Sequence, residues 1–135
     1  MNLWLFKTDP DTYSWDDLLK AKKEVWDGVA NPLALKNLRS VKKGDQIFIY
    51  HTGDEKAVIG IAKAASDSYP DPKDKSGKLA VVELAPEKSL PQPVLLSEIK
   101  TNSKLKSWDL VRLGRLSVMP ASQDQWDEVL KLSRK

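Results

Sequence analysis

Few side chains in this chain can do bond-making chemistry. There is one histidine, His51, and no cysteine among 135 residues. That excludes disulfides, thiolate zinc sites, iron–sulfur ligation, a cysteine nucleophile and a histidine-rich metal site within one chain. No GxGxxG, Walker, nucleophile-elbow or HExxH pattern occurs. Asp9, Asp11, Asp16 and Asp17 form an acidic cluster. Its spacing matches no calcium loop, so it reads as turn and helix-N-terminal chemistry. The five tryptophans are more informative. Trp4, Trp15 and Trp126 fall in apolar patterns and read as core, while Trp108 is ambiguous. Trp26 stands outside any apolar stripe, between the basic stretch 20–23 and an Asp27-Gly28 turn. A flat ring at a turn can stack on a nucleobase, worth about 1–3 kcal/mol per base, or anchor the turn to the core. His51 ends the run QIFIYH and faces away from Tyr50, toward either a ligand or the backbone.

The formal net charge is +3 and the pI about 9.0. Residues 20–43 hold seven basic side chains against Glu24 and Asp27, and residues 100–115 hold five against Asp109. Two such stretches suit an anionic ligand, although a solvated surface carries similar runs. No apolar run approaches the roughly 20 residues needed to span a bilayer, and the N-terminus lacks the pattern of a signal peptide. The expectation is a cytoplasmic protein without membrane association.

These residues need elements to hold them. A strand is predicted over 2–7. A helix follows from Ser14, with Asp17 completing a capping box and Trp15, Leu18 and Leu19 facing inward. Residues 24–26 read as extended. Asn31-Pro32 is a helix start, continued by Leu33, Leu35, Leu38 and Val41. Strands are predicted over 46–51 and 57–65, with Gly60 marking a bulge, bend or close approach. Residues 69–77 form a loop and 79–85 a strand. Residues 90–93 make a proline-bounded connection, Ser97 caps a short helix to Ile99, and 101–107 are loop. A last strand is predicted over 113–118. Ser122 and Gln125 cap a C-terminal helix carrying Trp126, Val129, Leu130 and Leu132. The pattern shows no repeat or linker and predicts a single domain over 1–135. Its class is α+β, a partly closed antiparallel β-barrel flanked by short α-helices. A doubly wound nucleotide fold is disfavoured, because long crossover helices are missing.

Several segments together resemble the EVE domain family of the PUA-like superfamily. They are WLFKTDP (4–10), YSWDDL (13–18), VWDGV (25–29) with Asn31, KGD (43–45), FIYH (48–51), GIA (60–62), YPDP (69–72) and LGRLSVMP (113–120). The resemblance implies a PUA-like barrel and a pocket related to that of YTH domains, which read methylated adenine in RNA. EVE domains are similar readers, with modified cytosine in DNA the leading ligand class. The implied pocket comprises Lys7 and Thr8 at the end of the first strand, and Trp26 with Asp27, Gly28 and Val29. It also includes Asn31 as a pocket amide, Tyr50, His51 and Thr52 at a strand end, and Arg115, Leu116 and Ser117 at the mouth. Thr8 replaces the family's usual serine and Asp9 its common glutamate, and the loop 70–78 is shorter than in many members.

A flipped base needs an aromatic wall, polar groups for its edge and cations for the flanking backbone. Trp26 supplies the wall; Thr8, Asn31 and Ser117 could read the edge. Lys36, Arg39, Lys42, Lys43 and Arg115 are the candidate phosphate contacts. The leading expectation is a non-catalytic reader of modified nucleobases, with no catalytic residue, cofactor or metal. Its partner is nucleic acid or a modified nucleotide, with an effector protein to supply an output; oligomeric state is open. One alternative is a general RNA-binding PUA-like module. Another is a nucleotide-acting enzyme using His51 as acid or base.

Overall fold

The structure, a computed structural model, describes residues 1–134. Its elements run β1 (Leu3–Thr8), α1 (Trp15–Ala21), β2 (Glu24–Trp26), α2 (Pro32–Arg39), β3 (Gln46–His51) and β4 (Ala57–Ala64). The chain continues with β5 (Tyr69–Pro70), β6 (Ala80–Leu95), α3 (Leu96–Thr101), α4 (Asp109–Arg112), β7 (Val118–Ala121) and α5 (Gln123–Ser133). Ser14 accepts from the Asp17 N–H while Asp17 accepts from the Ser14 N–H, so the first capping box forms as its residues predict. Ser122 and Gln125 do the same for α5. Asn31 caps α2, its Oδ1 accepting from the N–H groups of Leu33 and Ala34 at 3.0 and 3.1 Å.

The strands form one sheet in the order β2-β6-β4-β3-β1-β7, with β5 paired to β6. The sheet curls into a half-barrel, giving the α+β architecture the sequence predicts. One pair departs from the antiparallel expectation: β1 and β3 run parallel, from Leu3 opposite Gln46 to Thr8 opposite His51. The crossover between them carries α1, β2 and α2, which is long enough to return the chain to the same end of the sheet. The curl is measured by Phe6 and Trp26. Their strands lie four places apart, about 19 Å in a flat sheet at roughly 4.8 Å per strand. The ring centroids are nevertheless 5.9 Å apart. The core covers both faces of the curled sheet: Phe6 packs on Trp26 inside the curl, while Leu5 and its register partner Phe48 turn to the other face, where Trp126 of α5 stacks on Phe48 at 3.7 Å.

Gly60 is the close approach that its place in a strand suggests. A Cβ built there would sit 2.5 Å from two atoms of the Trp15 ring, so only glycine lets that indole lie flat on β4. The indole N–H donates to Ser89 Oγ at 2.8 Å, locking α1 to the sheet.

Five local expectations change, the first at Tyr69–Pro70, expected as the start of a loop but paired with Val81 and Ala80 as β5. The strand expected over 79–85 and the connection over 90–93 are one strand, β6, that includes Pro86, Pro91 and Pro93. It is paired on both sides only to Leu84; beyond that point it is an edge, where a missing N–H costs nothing, and its register with β4 shifts twice. Helix α3 begins at Leu96 with Leu95 at its cap position, because Glu98 accepts from the Leu95 N–H. Residues 113–117 are not a strand; β7 starts at Val118, where pairing with Phe6 begins. Leu19 and Leu33 face outward, leaving Leu18, Ala34, Leu35 and Leu38 to cover the sheet.

Candidate functional site

A half-barrel has a seam where its edges fail to meet, and here the seam holds a cavity of about 530 Å³. On one side are Lys7 and Thr8, at the C-terminal end of β1. On the other are Glu24, Val25 and Trp26 of β2 and the turn 27–30 that leads into α2. Gly28 makes that turn with φ +77, a conformation that side chains disfavour. Ser117 closes the third side. Its carbonyl accepts from the Lys7 N–H at 2.9 Å, which hooks the segment before β7 onto β1. Tyr13 and Thr12, from the loop ahead of α1, complete the wall.

Trp26 is 8% exposed and is both wall and core, packing on Phe6 and meeting the Tyr13 ring edge-on at 6.0 Å. The indole N–H groups of Trp4, Trp15 and Trp108 are bonded to Asp45, Ser89 and the Pro120 carbonyl. Those of Trp26 and Trp126 have no partner among the described residues, and of these two only Trp26 lines the cavity.

The polar groups of the cavity divide by how far the protein uses them. Thr8 Oγ1 donates to the Tyr13 carbonyl at 2.7 Å and keeps its lone pairs to accept. The Tyr13 hydroxyl is enclosed without a hydrogen bond of ordinary geometry. Burial, and then the facing Glu24 carboxylate, push its pKa up to about 12, so it is neutral at physiological pH. Lys7 Nζ is held by the Gly114 carbonyl at 2.8 Å and lies 5.6 Å from the Tyr50 ring centroid. Burial lowers its pKa. Asp9, Glu24 and Asp27 put carboxylates around the same space. The cavity therefore offers an aromatic face, acceptors for an amino group, and hydroxyl and ammonium donors for a carbonyl.

The chain matches the family model for the EVE domain over residues 2–132. It belongs to the EVE domain family. A structure from Rhodopseudomonas palustris superposes with a TM-score of 0.94 at 35% identity, covering 99% of this chain and 94% of that one. Human THYN1 protein, solved in complex with 5-methylcytosine-containing DNA, superposes with a TM-score of 0.90 at 29% identity, covering 100% and 99%. In sequence, human thymocyte nuclear protein 1 is 28% identical over 98% of this chain and 74% of its own length.

In this EVE domain the expected site residues do not all share one space. Lys7, Thr8, Trp26, Asp27, Gly28, Val29 and Ser117 surround the seam cavity. Asn31 lies outside it, its carbonyl oxygen spent on the cap of α2, in a shallow depression with Arg115 and Leu116. Tyr50 and Thr52 line a separate cleft that touches the cavity through Lys7. His51 reaches neither space. It is 6% exposed, its Nε2 accepts from the Trp15 N–H at 2.9 Å, and its Nδ1 meets Glu55 Oε1 at 2.9 Å. Accepting at Nε2 places the proton on Nδ1 and commits both nitrogens to the fold. Lys42 and Lys43 fall at the other end of the barrel. The Asp45 carboxylate accepts from the Asn2 and Lys42 N–H groups, fixing that turn at the start of β1, about 17 Å from Thr8 at roughly 3.3 Å per residue. Arg39 donates to the Lys78 carbonyl, and Lys36 is exposed on α2.

The residues that sequence reasoning missed are Asp9, Thr12, Tyr13, Glu24, Val25 and Ala30. Tyr13 precedes a helix cap, where an apolar side chain is ordinarily a staple onto the first turn, so its place in the sequence hid its role. Glu24 is read correctly as strand, but which strand faces the seam depends on the curl.

Proposed function

We propose that this EVE domain is a non-catalytic reader of a modified nucleobase, modified cytosine in DNA first, taking the base from its strand into the seam cavity against Trp26. The observation that carries the reading is the cavity itself. It has a Trp26 wall, an unspent indole N–H and Tyr13 hydroxyl, and carboxylates opposed to hydroxyl and ammonium donors. Its volume lies within the range of about 300–1,000 Å³ usual for small-ligand sites. Cytosine presents an amino donor beside acceptors, and a 5-methyl group adds an apolar edge. Glu24 or Asp27 would accept from the amino group, and Ser117, Tyr13 or Lys7 would donate to the carbonyl. Val29 and Val25 supply apolar contact. The human relative solved with 5-methylcytosine-containing DNA supports the same ligand class.

The geometry gives an acid–base enzyme less to work with. The only imidazole in the sequence is bonded at both nitrogens, and the Thr8 hydroxyl at the cavity donates to the Tyr13 carbonyl and not to a base. The energetic task is instead to hold an extruded base, which costs a few kcal/mol when the base leaves a duplex. Stacking on Trp26 and the edge contacts together meet that cost.

The test is fluorescence anisotropy with labelled oligonucleotides carrying cytosine, 5-methylcytosine, 5-hydroxymethylcytosine, adenine or N6-methyladenine. Wild type, Trp26→Ala and Trp26→Phe are compared at two salt concentrations. Expected is a preference for one modified base, lost in Trp26→Ala by roughly 5- to 150-fold, the equivalent of about 1–3 kcal/mol of stacking, and partly retained in Trp26→Phe. Binding that ignores modification and survives Trp26→Ala overturns the reading in favour of a general nucleic-acid module.

A further inference from the structure

The cleft that adjoins the seam cavity is chemically unlike it. Its volume is about 210 Å³, and Lys7, Lys56 and Lys100 line it with Tyr50 and Thr52. No carboxylate lines it, whereas three surround the base cavity. Lys56 and Lys100 form no ion pair among the described residues. Lys56 and Lys100 also border a neighbouring depression that holds Asp54 and Glu55; neither carboxylate pairs with them, and Glu55 is bonded to His51. Tyr50 is 3% exposed, and its hydroxyl makes no hydrogen bond among the described residues. The floor is Leu96, Leu110 and Val111, which lowers the local dielectric and strengthens whatever charge interaction forms there.

From this arrangement we infer that the cleft between Lys7, Lys56, Lys100 and the Tyr50 hydroxyl is a phosphate site, holding the phosphate attached to the nucleotide whose base enters the seam cavity. The inference rests on the proposed base reading for its geometry, since Lys7 lines both spaces and the Gly114 carbonyl fixes its ammonium between them. The division of labour is electrostatic. Carboxylates in the seam repel a phosphate and accept from a base; the side chains of the cleft bring three ammonium groups and two hydroxyls and no negative charge, which suits an anion. A ligand carrying both groups is thereby oriented before any edge contact forms. The basic residues at the other end of the barrel, Lys42 and Lys43, do not reach this place.

The experiment compares three probes: 5-methyl-2′-deoxycytidine, its 5′-monophosphate, and a single-stranded oligonucleotide containing 5-methylcytosine. The proteins are wild type, Lys56→Ala/Lys100→Ala, Tyr50→Phe and, as a control for net charge, Lys42→Ala/Lys43→Ala. Isothermal calorimetry or anisotropy reads the affinity, and the oligonucleotide is titrated at several salt concentrations. Expected is a loss of about tenfold or more in Lys56→Ala/Lys100→Ala for the monophosphate and the oligonucleotide, with the nucleoside unchanged. The log–log salt slope for the single-stranded oligonucleotide should fall by about 0.7, the counterion release that goes with one neutralised phosphate. Tyr50→Phe should lose a smaller factor, about 2- to 5-fold, again only on the phosphorylated probes. The charge control should match wild type. A loss shared by the oligonucleotide and the monophosphate assigns the site to any nucleotide phosphate; a loss confined to the oligonucleotide assigns it to the strand backbone. Unchanged affinity on both phosphorylated probes overturns the inference, as does an equal loss on the nucleoside or an equal loss in the charge control. Failure of the base reading looks different: binding that ignores base modification while still depending on Lys56 and Lys100 leaves the phosphate site standing.

Discussion

Replacing Gly60 by alanine tests whether the packing of Trp15 on β4 organises this end of the barrel. A Cβ at position 60 would stand 2.5, 2.5 and 2.8 Å from three atoms of the Trp15 indole. Carbon atoms rest at about 3.5–4.0 Å, so the ring must retreat by about 1 Å. It is held at two points: the indole N–H on Ser89 Oγ at 2.8 Å and the backbone N–H on His51 Nε2 at 2.9 Å. Overpacking of this kind costs about 1–3 kcal/mol, and weakening the Ser89 bond adds about 1 kcal/mol. The smaller entropy of the unfolded alanine chain returns about 0.4–1 kcal/mol. The net loss is about 2 kcal/mol, from a total that is about 5–15 kcal/mol for a typical domain. For a domain of this size that corresponds to a fall in Tm of roughly 6–10 °C. Gly114→Ala is the internal control, because nothing lies within 4 Å of its Cβ position and its φ is not in the left-handed region. Thermal and urea unfolding by circular dichroism read both variants. Gly60→Ala with a Tm within about 2 °C of wild type, or indistinguishable from Gly114→Ala, would show that the ring moves freely and refute the packing argument.

Two further predictions separate the two ends of β1. Tyr13→Phe removes an enclosed hydroxyl that faces Glu24 without a hydrogen bond of ordinary geometry, so stability at pH 7 should change by no more than about 1 kcal/mol, while affinity for the preferred base falls about 2- to 10-fold. Because burial raises the Tyr13 pKa to about 12, the folded state favours the neutral phenol; that stability is present below about pH 10 and is lost as pH climbs toward 12. Urea midpoints at pH 9 and pH 11 should therefore fall further in wild type than in Tyr13→Phe, and the reverse order would contradict the assignment. Asp45→Asn places an amino group among the donors of Asn2, Trp4 and Lys42, which now approach its carboxylate at 2.9–3.0 Å. It should cost about 2–4 kcal/mol in denaturant titration and leave oligonucleotide affinity unchanged per folded molecule, since it lies at the far end of the strand.

The parts of this protein that were legible in its sequence are those governed by neighbours a few residues apart. The Ser14–Asp17 and Ser122–Gln125 boxes, the Asn31-Pro32 helix start, the strand QIFIYH and the turn at Gly28 each depend on local hydrogen bonding or φ preference. The segments resembling the EVE family named the fold, and Trp26 stood out because no apolar period explained it. What the residues could not show is where one segment meets another. β6 includes three prolines because its second half has lost its outer neighbour, a fact about pairing rather than propensity. The parallel β1–β3 pair is set by a crossover of three elements. Tyr50, His51 and Thr52 are consecutive, yet His51 is spent on α1 while the other two open onto a cleft. Lys42 and Lys43 sit in the same basic stretch of sequence as the residues beside Trp26 and end at the opposite pole. Sequence distance sets the local elements, because capping and turn energies act within one or two turns of chain. The curl of the sheet decides which side chains share a cavity, because it brings β2 back to β1 across four strand positions, and that closure is a property of the whole core.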